Sequence, residues 1–275
     1  MNKHSFIIEA NSFHNLPISG DFSFNNTNKN LIIFCHGFKG FKDWGCWNLV
    51  SNYFCQRGFN FLKFNFSHNG TTVSNLSEIT DFNAFRNNNY SIELQDISRV
   101  INYVKSSKSI LNHNNLYLIG HSRGGGIACL ATQNHPEITK LVTWAGVADF
   151  EERFPSKKEL FIWKNKVTRN IINKRTEVIY PQDYQFYEDF IRNRNLLDIR
   201  KSLSEFRGKF LVCYGSLDKV ISNDSAFMMH KLVFNSEIKS FRTNHTFSSK
   251  HPWDKKVLPS VLEELCKETI KFLSD

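Results

Sequence analysis

Two rhythms of apolar and polar positions alternate along the chain. Short β-branched or aromatic runs occur at Ser5–Glu9, Asp21–Phe24, Leu31–Cys35, Asn60–Asn65, Asn115–Ile119, Lys140–Thr143, Lys209–Tyr214 and Glu237–Phe241. Each has the length and side-chain bias of a strand. Leu31–Cys35 and Leu116–Ile119 are nearly unbroken apolar runs, as strands covered on both faces require. The first two runs predict an antiparallel hairpin at the sheet edge. Longer patterns lie between the runs. Ile92, Leu94, Ile97, Val100, Ile101 and Val104 recur at three- and four-residue spacing and predict a helix over Ser91–Ser106. Further helices are expected at Trp47–Arg57, Gly124–Gln133, Ser225–Phe234 and Val257–Leu273. Strands alternating with helices imply a mostly parallel eight-stranded sheet flanked by helices, an α/β fold in a single domain.

One segment interrupts the alternation. Asp149–Arg207 carries many charges together with Phe150, Phe154, Phe161, Trp163, Tyr180, Tyr184, Phe186, Tyr187 and Phe190. A structureless loop of that length does not suit a compact domain. A helical cap inserted after the sixth strand, covering residues 149–207, is the expectation.

Composition narrows the picture. At 275 residues and 41% hydrophobic content, with 26 Phe, the chain can bury a ring-rich core. The net charge of +9 is scattered, with no basic run and no nucleic-acid motif, so no nucleic-acid partner is expected. The six cysteines, at 35, 46, 55, 129, 213 and 266, form neither a CxxC pair nor a zinc pattern. They read as reduced core thiols of a cytoplasmic protein. Neither a signal peptide nor an 18-residue apolar span is evident, and no metal or other cofactor is indicated.

The chemistry-bearing signal is Gly120-His121-Ser122-Arg123-Gly124, preceded by a predicted strand and followed by a predicted helix. A serine on such a turn needs small neighbours, because helix and strand pass close together. The helix N-terminus beneath it favours developing negative charge. His36-Gly37-Phe38-Lys39-Gly40 follows the third strand, where acyl-transfer enzymes of this architecture place one amide of an oxyanion hole. The Phe38 and Arg123 N–H groups are the candidate donors. His36 itself reads as a histidine that shapes the loop. Asp218 follows the seventh strand and His245 the eighth, in the chain order serine, acid, histidine. Asp224 is the rival acid, better suited to capping a helix, and His68, His230 and His251 are weaker candidates for the base.

Taken together, HGFKGFKDW at 36–44, GHSRGG at 120–125, GSLDKV at 215–220 and NHTF at 244–247 resemble the α/β-hydrolase superfamily over nearly the whole chain. The HGF-x-G loop looks like that of small intracellular esterases, including cinnamoyl or feruloyl esterase-like and dienelactone hydrolase-like members. The resemblance implies Ser122 as nucleophile, Asp218 and His245 as its partners, and Phe38 and Arg123 as amide donors. It also implies a small ester or acyl substrate, with His36, Gly37, Trp163 and Phe186 as candidate contacts. A thioesterase, peptidase or acyltransferase would use the same three residues, and a non-catalytic binding protein could keep the same scaffold.

Overall fold

The run Leu31–Cys35 becomes part of a strand buried almost throughout, and its neighbours repeat the pattern. The structure, a computed structural model, describes all residues except 1, 13–14, 25–29, 108–112 and 174–175. Among the described residues eight strands form one sheet: β1 (Asn2–Ile8), β2 (Ile18–Phe24), β3 (Asn30–Cys35), β4 (Asn60–Phe64), β5 (Asn115–His121), β6 (Ile138–Trp144), β9 (Lys209–Gly215) and β10 (Ser236–Phe241). Their order is β1-β2-β4-β3-β5-β6-β9-β10. The pairs β1–β2 and β2–β4 are antiparallel and the others parallel. The expected sheet, with its antiparallel edge, is present.

Helices cover both faces. On one face lie α3 (Tyr90–Ser106), α4 (Arg123–Ala131) and α8 (Asn223–Leu232). The Ile97, Val100, Ile101 and Val104 stripe of α3 is fully buried there. On the other face lie α1 (Trp47–Gln56) and α9 (Ser260–Ser274), which bury Trp47, Val50, Phe54, Leu262, Leu265 and Phe272. All six cysteines are buried and none forms a disulfide. A short helix that the apolar pattern does not announce, α2 (Phe82–Asn87), starts at Asp81, whose carboxylate accepts from the Ala84 N–H at 2.8 Å.

Strand register decides where the loops emerge. Cys35 pairs with Gly120, Gly120 with Thr143, Trp144 with Cys213, and Gly215 with Phe241. The carboxyl ends of β3, β5, β9 and β10 therefore reach one edge of the sheet together, where sites in open α/β sheets collect. The loop after β3 is tied down by buried charge. Lys42 and Lys63 donate to Asp21 at 2.6 and 2.8 Å, and both also pair with Asp43.

Residues 149–207 leave the sheet after β6 and return at β9. The described part holds a 3-10 turn at Glu151–Arg153, then α5 (Lys157–Lys166), a hairpin of β7 (Thr168–Ile172) and β8 (Ile179–Asp183), α6 (Gln185–Arg192) and α7 (Ile199–Glu205). The hairpin departs from the expected all-helical segment. Its arms, TRNII and IYPQD, carry the β-branched residues that favour strands, and they pair with each other in antiparallel register. The segment's buried rings Phe150, Trp163, Phe186 and Phe190 join the same apolar cluster as one face of the main sheet. Tyr90 stacks on Phe150 at 3.8 Å, and Phe154 lies 5.0 to 5.8 Å from Phe190 and Phe186.

Candidate active site

Ser122 sits between β5 and α4 with φ 56° and ψ −122°, a region a non-glycine residue rarely visits. The surroundings hold it there. Its N–H donates to the Trp144 carbonyl, and its own carbonyl accepts from the Gly125 and Val147 amides, each at 3.0 Å. The tight turn dictates glycine nearby. A Cβ on Gly124 would come within 2.4 Å of the Cys35 and His36 carbonyl oxygens. A Cβ on Gly37 would lie 2.9 Å from the Ser122 Cβ, so the loop after β3 passes directly beside the serine.

From the Ser122 hydroxyl runs a continuous hydrogen-bonded chain. Ser122 Oγ donates to His245 Nε2 at 2.9 Å, and His245 Nδ1 donates to Asp218 Oδ2 at 2.7 Å. The other carboxylate oxygen, Oδ1, accepts from the Val220 and Ile221 amides at 2.7 and 3.1 Å. Burial alone would raise the Asp218 carboxyl. The hydrogen bond and charge of His245, with the two amides, outweigh it and hold the group below the usual carboxylate range. An ionised Asp218 keeps Nδ1 protonated and leaves Nε2 free to accept a proton. Asp224 is elsewhere: it lies in the first turn of α8, exposed, and the cap of that helix is Ser222 rather than Asp224.

The other histidines have separate tasks. His36 is buried; Nδ1 donates to the Gly37 carbonyl at 2.9 Å, and Nε2 accepts from the Phe66 amide and the Asn69 side chain, both at 3.4 Å. Burial pushes its pKa down to about 4. It braces the loop and lines neither cavity beside Ser122, so the structure does not place it as a substrate contact. His251 Nδ1 accepts from the Gly45 amide at 3.0 Å, and His230 meets Ser236 at 2.7 Å. His68 hydrogen-bonds Ser67 at 2.8 Å.

Two cavities flank the serine. One, about 140 Å³, is lined by Gly37, Phe38, Trp44, Trp47, His121 and His245 beside Ser122. The other, about 400 Å³, lies toward residues 149–207 and includes Phe38, Arg123, Phe150 and Phe186. Phe38 and Arg123 therefore both border a cavity that Ser122 also lines. Among the described residues neither amide donates a hydrogen bond. Of the two rings expected to meet substrate, Phe186 lines the second cavity and Trp163 does not. Trp163 is buried within the segment, its indole donating to the Gln182 carbonyl at 3.0 Å under the Arg169 guanidinium.

Residues 30–167, half of the chain, match the family described as alpha/beta hydrolase fold. The chain belongs to the α/β-hydrolase fold family. No curated protein matches it in sequence. Solved structures similar to it include Est1E from Butyrivibrio proteoclasticus, 14% identical, with 98% of this chain and 99% of that one aligned at a TM-score of 0.71. The same Est1E with ferulic acid bound gives a TM-score of 0.74, at 14% identity over 98% and 100% of the two chains. Dienelactone hydrolase from Anabaena variabilis is 12% identical over 99% and 97% of the chains, with a TM-score of 0.65. At such identities the likeness is one of fold.

Sequence reasoning passed over several residues that this α/β-hydrolase brings to the site. His121 Nε2 donates to the His245 carbonyl at 3.0 Å, and burial pushes its ring down to about 3. A neutral His121 thus pins the backbone of the residue that faces Ser122. Its place in G-x-S-x-G, at the variable position before the serine, carries no chemical signal of its own. Lys39, Arg153, Arg169 and Gln182 also reach the second cavity. Among the described residues no helix is long and apolar enough to cross a membrane, and no group of three or more His, Cys, Asp or Glu is placed to hold a metal ion.

Proposed function

We propose that this protein hydrolyses carboxylic esters through an acyl-enzyme on Ser122. The observation that carries the reading is the unbroken chain from Ser122 Oγ through His245 to Asp218. His245 Nε2 takes the hydroxyl proton as Oγ attacks the ester carbon. The carbonyl oxygen becomes an anion, stabilised by the Phe38 and Arg123 amides and by the positive end of α4. His245 returns the proton to the departing alcohol. Water then enters, gives a proton to His245 and attacks the acyl carbon, which releases the acid and restores Ser122. Asp218 stays ionised and stabilises the imidazolium. His121 is a positioning residue, acting through the His245 backbone.

Residues 149–207 act as a lid in this reading, with Phe186 in contact with substrate and Trp163 holding the lid together. The six buried thiols support a reducing, cytoplasmic setting. That Est1E binds ferulic acid supports a small ester as the substrate class. The test is a panel of 4-nitrophenyl esters of increasing acyl length, with a feruloyl ester and a thioester beside it. Turnover of oxygen esters that depends on Ser122 is the expected result. Turnover of the thioester alone would move the assignment to a thioesterase, and turnover of none would leave a binding protein on this scaffold.

A further inference from the structure

The second cavity beside Ser122 is unusually rich in fixed positive charge. Lys39, Arg123, Arg153 and Arg169 line it, and among the described residues no carboxylate does. One carboxylate stands behind the wall. Glu93 Oε1 accepts from Arg123 at 3.1 Å and from Asn88 at 2.7 Å, which balances a single charge. Among the described residues the Arg169 guanidinium donates to a neutral acceptor: its Nε and NH2 both donate to Gln182 Oε1, at 3.0 and 2.6 Å. It lies over Trp163, 3.8 Å from the ring centre. Burial pushes it down to about 10, with repulsion from Arg123 adding to the effect and Tyr90 and the Glu159 carboxylate opposing it without forming an ion pair. Arg153 donates to the Val220 carbonyl at 3.1 Å. Among the described residues no carboxylate forms an ion pair with Arg153 or Arg169.

Desolvated cations are costly unless an anion completes them, and guanidinium forks match the two oxygens of a carboxylate. Beyond Ser122, His245 and Gln182 the rest of the wall is aromatic or aliphatic, with Tyr90, Phe150 and Phe186 among its rings. Rings and cations in one cavity suit a substrate that is both apolar and anionic.

We infer that the part of the substrate seated in this cavity carries a carboxylate, received by Arg153 and Arg169 beside the Arg123–Glu93 pair while its ester carbonyl lies at Ser122. This deepens the hydrolase reading and rests on it. Arg153 and Arg169, the two receiving cations, sit on the 3-10 turn and the hairpin of residues 149–207, so the lid supplies the selectivity and the sheet supplies the chemistry.

Two matched ester pairs test the inference. Mono-4-nitrophenyl suberate against methyl 4-nitrophenyl suberate places the charge on the acyl half. The 4-acetoxybenzoate anion against its methyl ester places it on the leaving group. In one pair kcat/KM for the carboxylate should exceed that of the neutral ester by about tenfold or more, the scale of a charge-assisted hydrogen bond. The ratio should collapse in Arg169→Gln and fall in Arg153→Gln, and it should shrink as salt is raised. Arg153, exposed and held by one backbone bond, serves should Arg169 prove necessary for the hairpin; thermal melts of both variants check this. A neutral preference in both pairs, or an anionic preference that survives both substitutions, overturns the inference while leaving the hydrolase reading intact. Turnover of none of the four esters contradicts the hydrolase reading itself, and the inference with it.

Discussion

Ser122, Asp218 and His245 stand on loops that leave parallel strands at matched register, whereas Arg169, Gln182 and Phe186 stand on an insertion that pairs with no strand of the main sheet. The first region is positioned by long-range backbone pairing: β5 lies between β3 and β6, and β9 between β6 and β10. The second is positioned by side-chain packing of its rings against α3 and α4 in the common core and by side-chain bonds to the start of α3, such as Ser91 Oγ to Asp189 at 2.9 Å. In the proposed reading, chemistry is assigned to the region held by backbone pairing and selectivity to the region held by side chains. Substitutions in the two regions should therefore fail in different ways.

The largest effect belongs to the sheet region. Ser122→Ala should lower ester hydrolysis by about 10⁴-fold or more, with the far-ultraviolet circular dichroism unchanged, because only binding and the amide donors remain. Asp218→Asn should cost roughly 10²- to 10⁴-fold, since the amide reverses the His245 tautomer. Asp224→Asn should leave the rate unaltered. Steady-state kinetics of the two variants decides between the carboxylates, and the opposite pattern would reassign the acid.

In the insertion, Trp163→Ala should act on stability, by about 3–5 kcal/mol as a buried ring is lost. Denaturant unfolding reads this directly. Phe186→Ala should instead change the ranking of ester substrates, with shifts of roughly tenfold expected where a ring meets substrate. If both variants behaved alike, the distinction between holding residue and contact residue would fall.

The smallest effect is on pH. His36, His68 and His121 are buried, with folded pKa values of about 4, 4 and 3. Unfolded histidine takes up a proton near pH 6.5, so below that pH the unfolded state binds more protons and stability falls as pH falls. Burial raises Asp96 to about 7, so it is protonated in the folded state first and works in the opposite direction. These three histidines against one carboxyl leave a net loss of about 1 kcal/mol between pH 7 and pH 6, and His135, also lowered by burial, adds to the loss. Melting temperatures across that range check the sign; a protein more stable at pH 6 would contradict it.

Legibility in the sequence follows the same division. The main strands could be read from apolar runs because burial on both faces leaves few polar positions, and Ser122, Asp218 and His245 could be read from their places after those runs. The hairpin at Thr168–Ile172 and Ile179–Asp183 could not: its arms are short, half exposed and interrupted by Pro181, so neither rhythm is clear. Trp163 and Phe186 looked alike in sequence because both are rings in one aromatic segment. Only packing separates them, one beneath Arg169 and one facing Ser122. His36 drew notice through its motif, yet its ring is used up in bonds to Gly37, Phe66 and Asn69.

The central claim is that Ser122 is the activated nucleophile. Treating the native chain with a fluorophosphonate and locating the adduct by peptide mass spectrometry tests it most directly. The account predicts one adduct, on the peptide containing Ser122, and none in Ser122→Ala. An adduct on a different serine, or equal labelling of the two proteins, would contradict it.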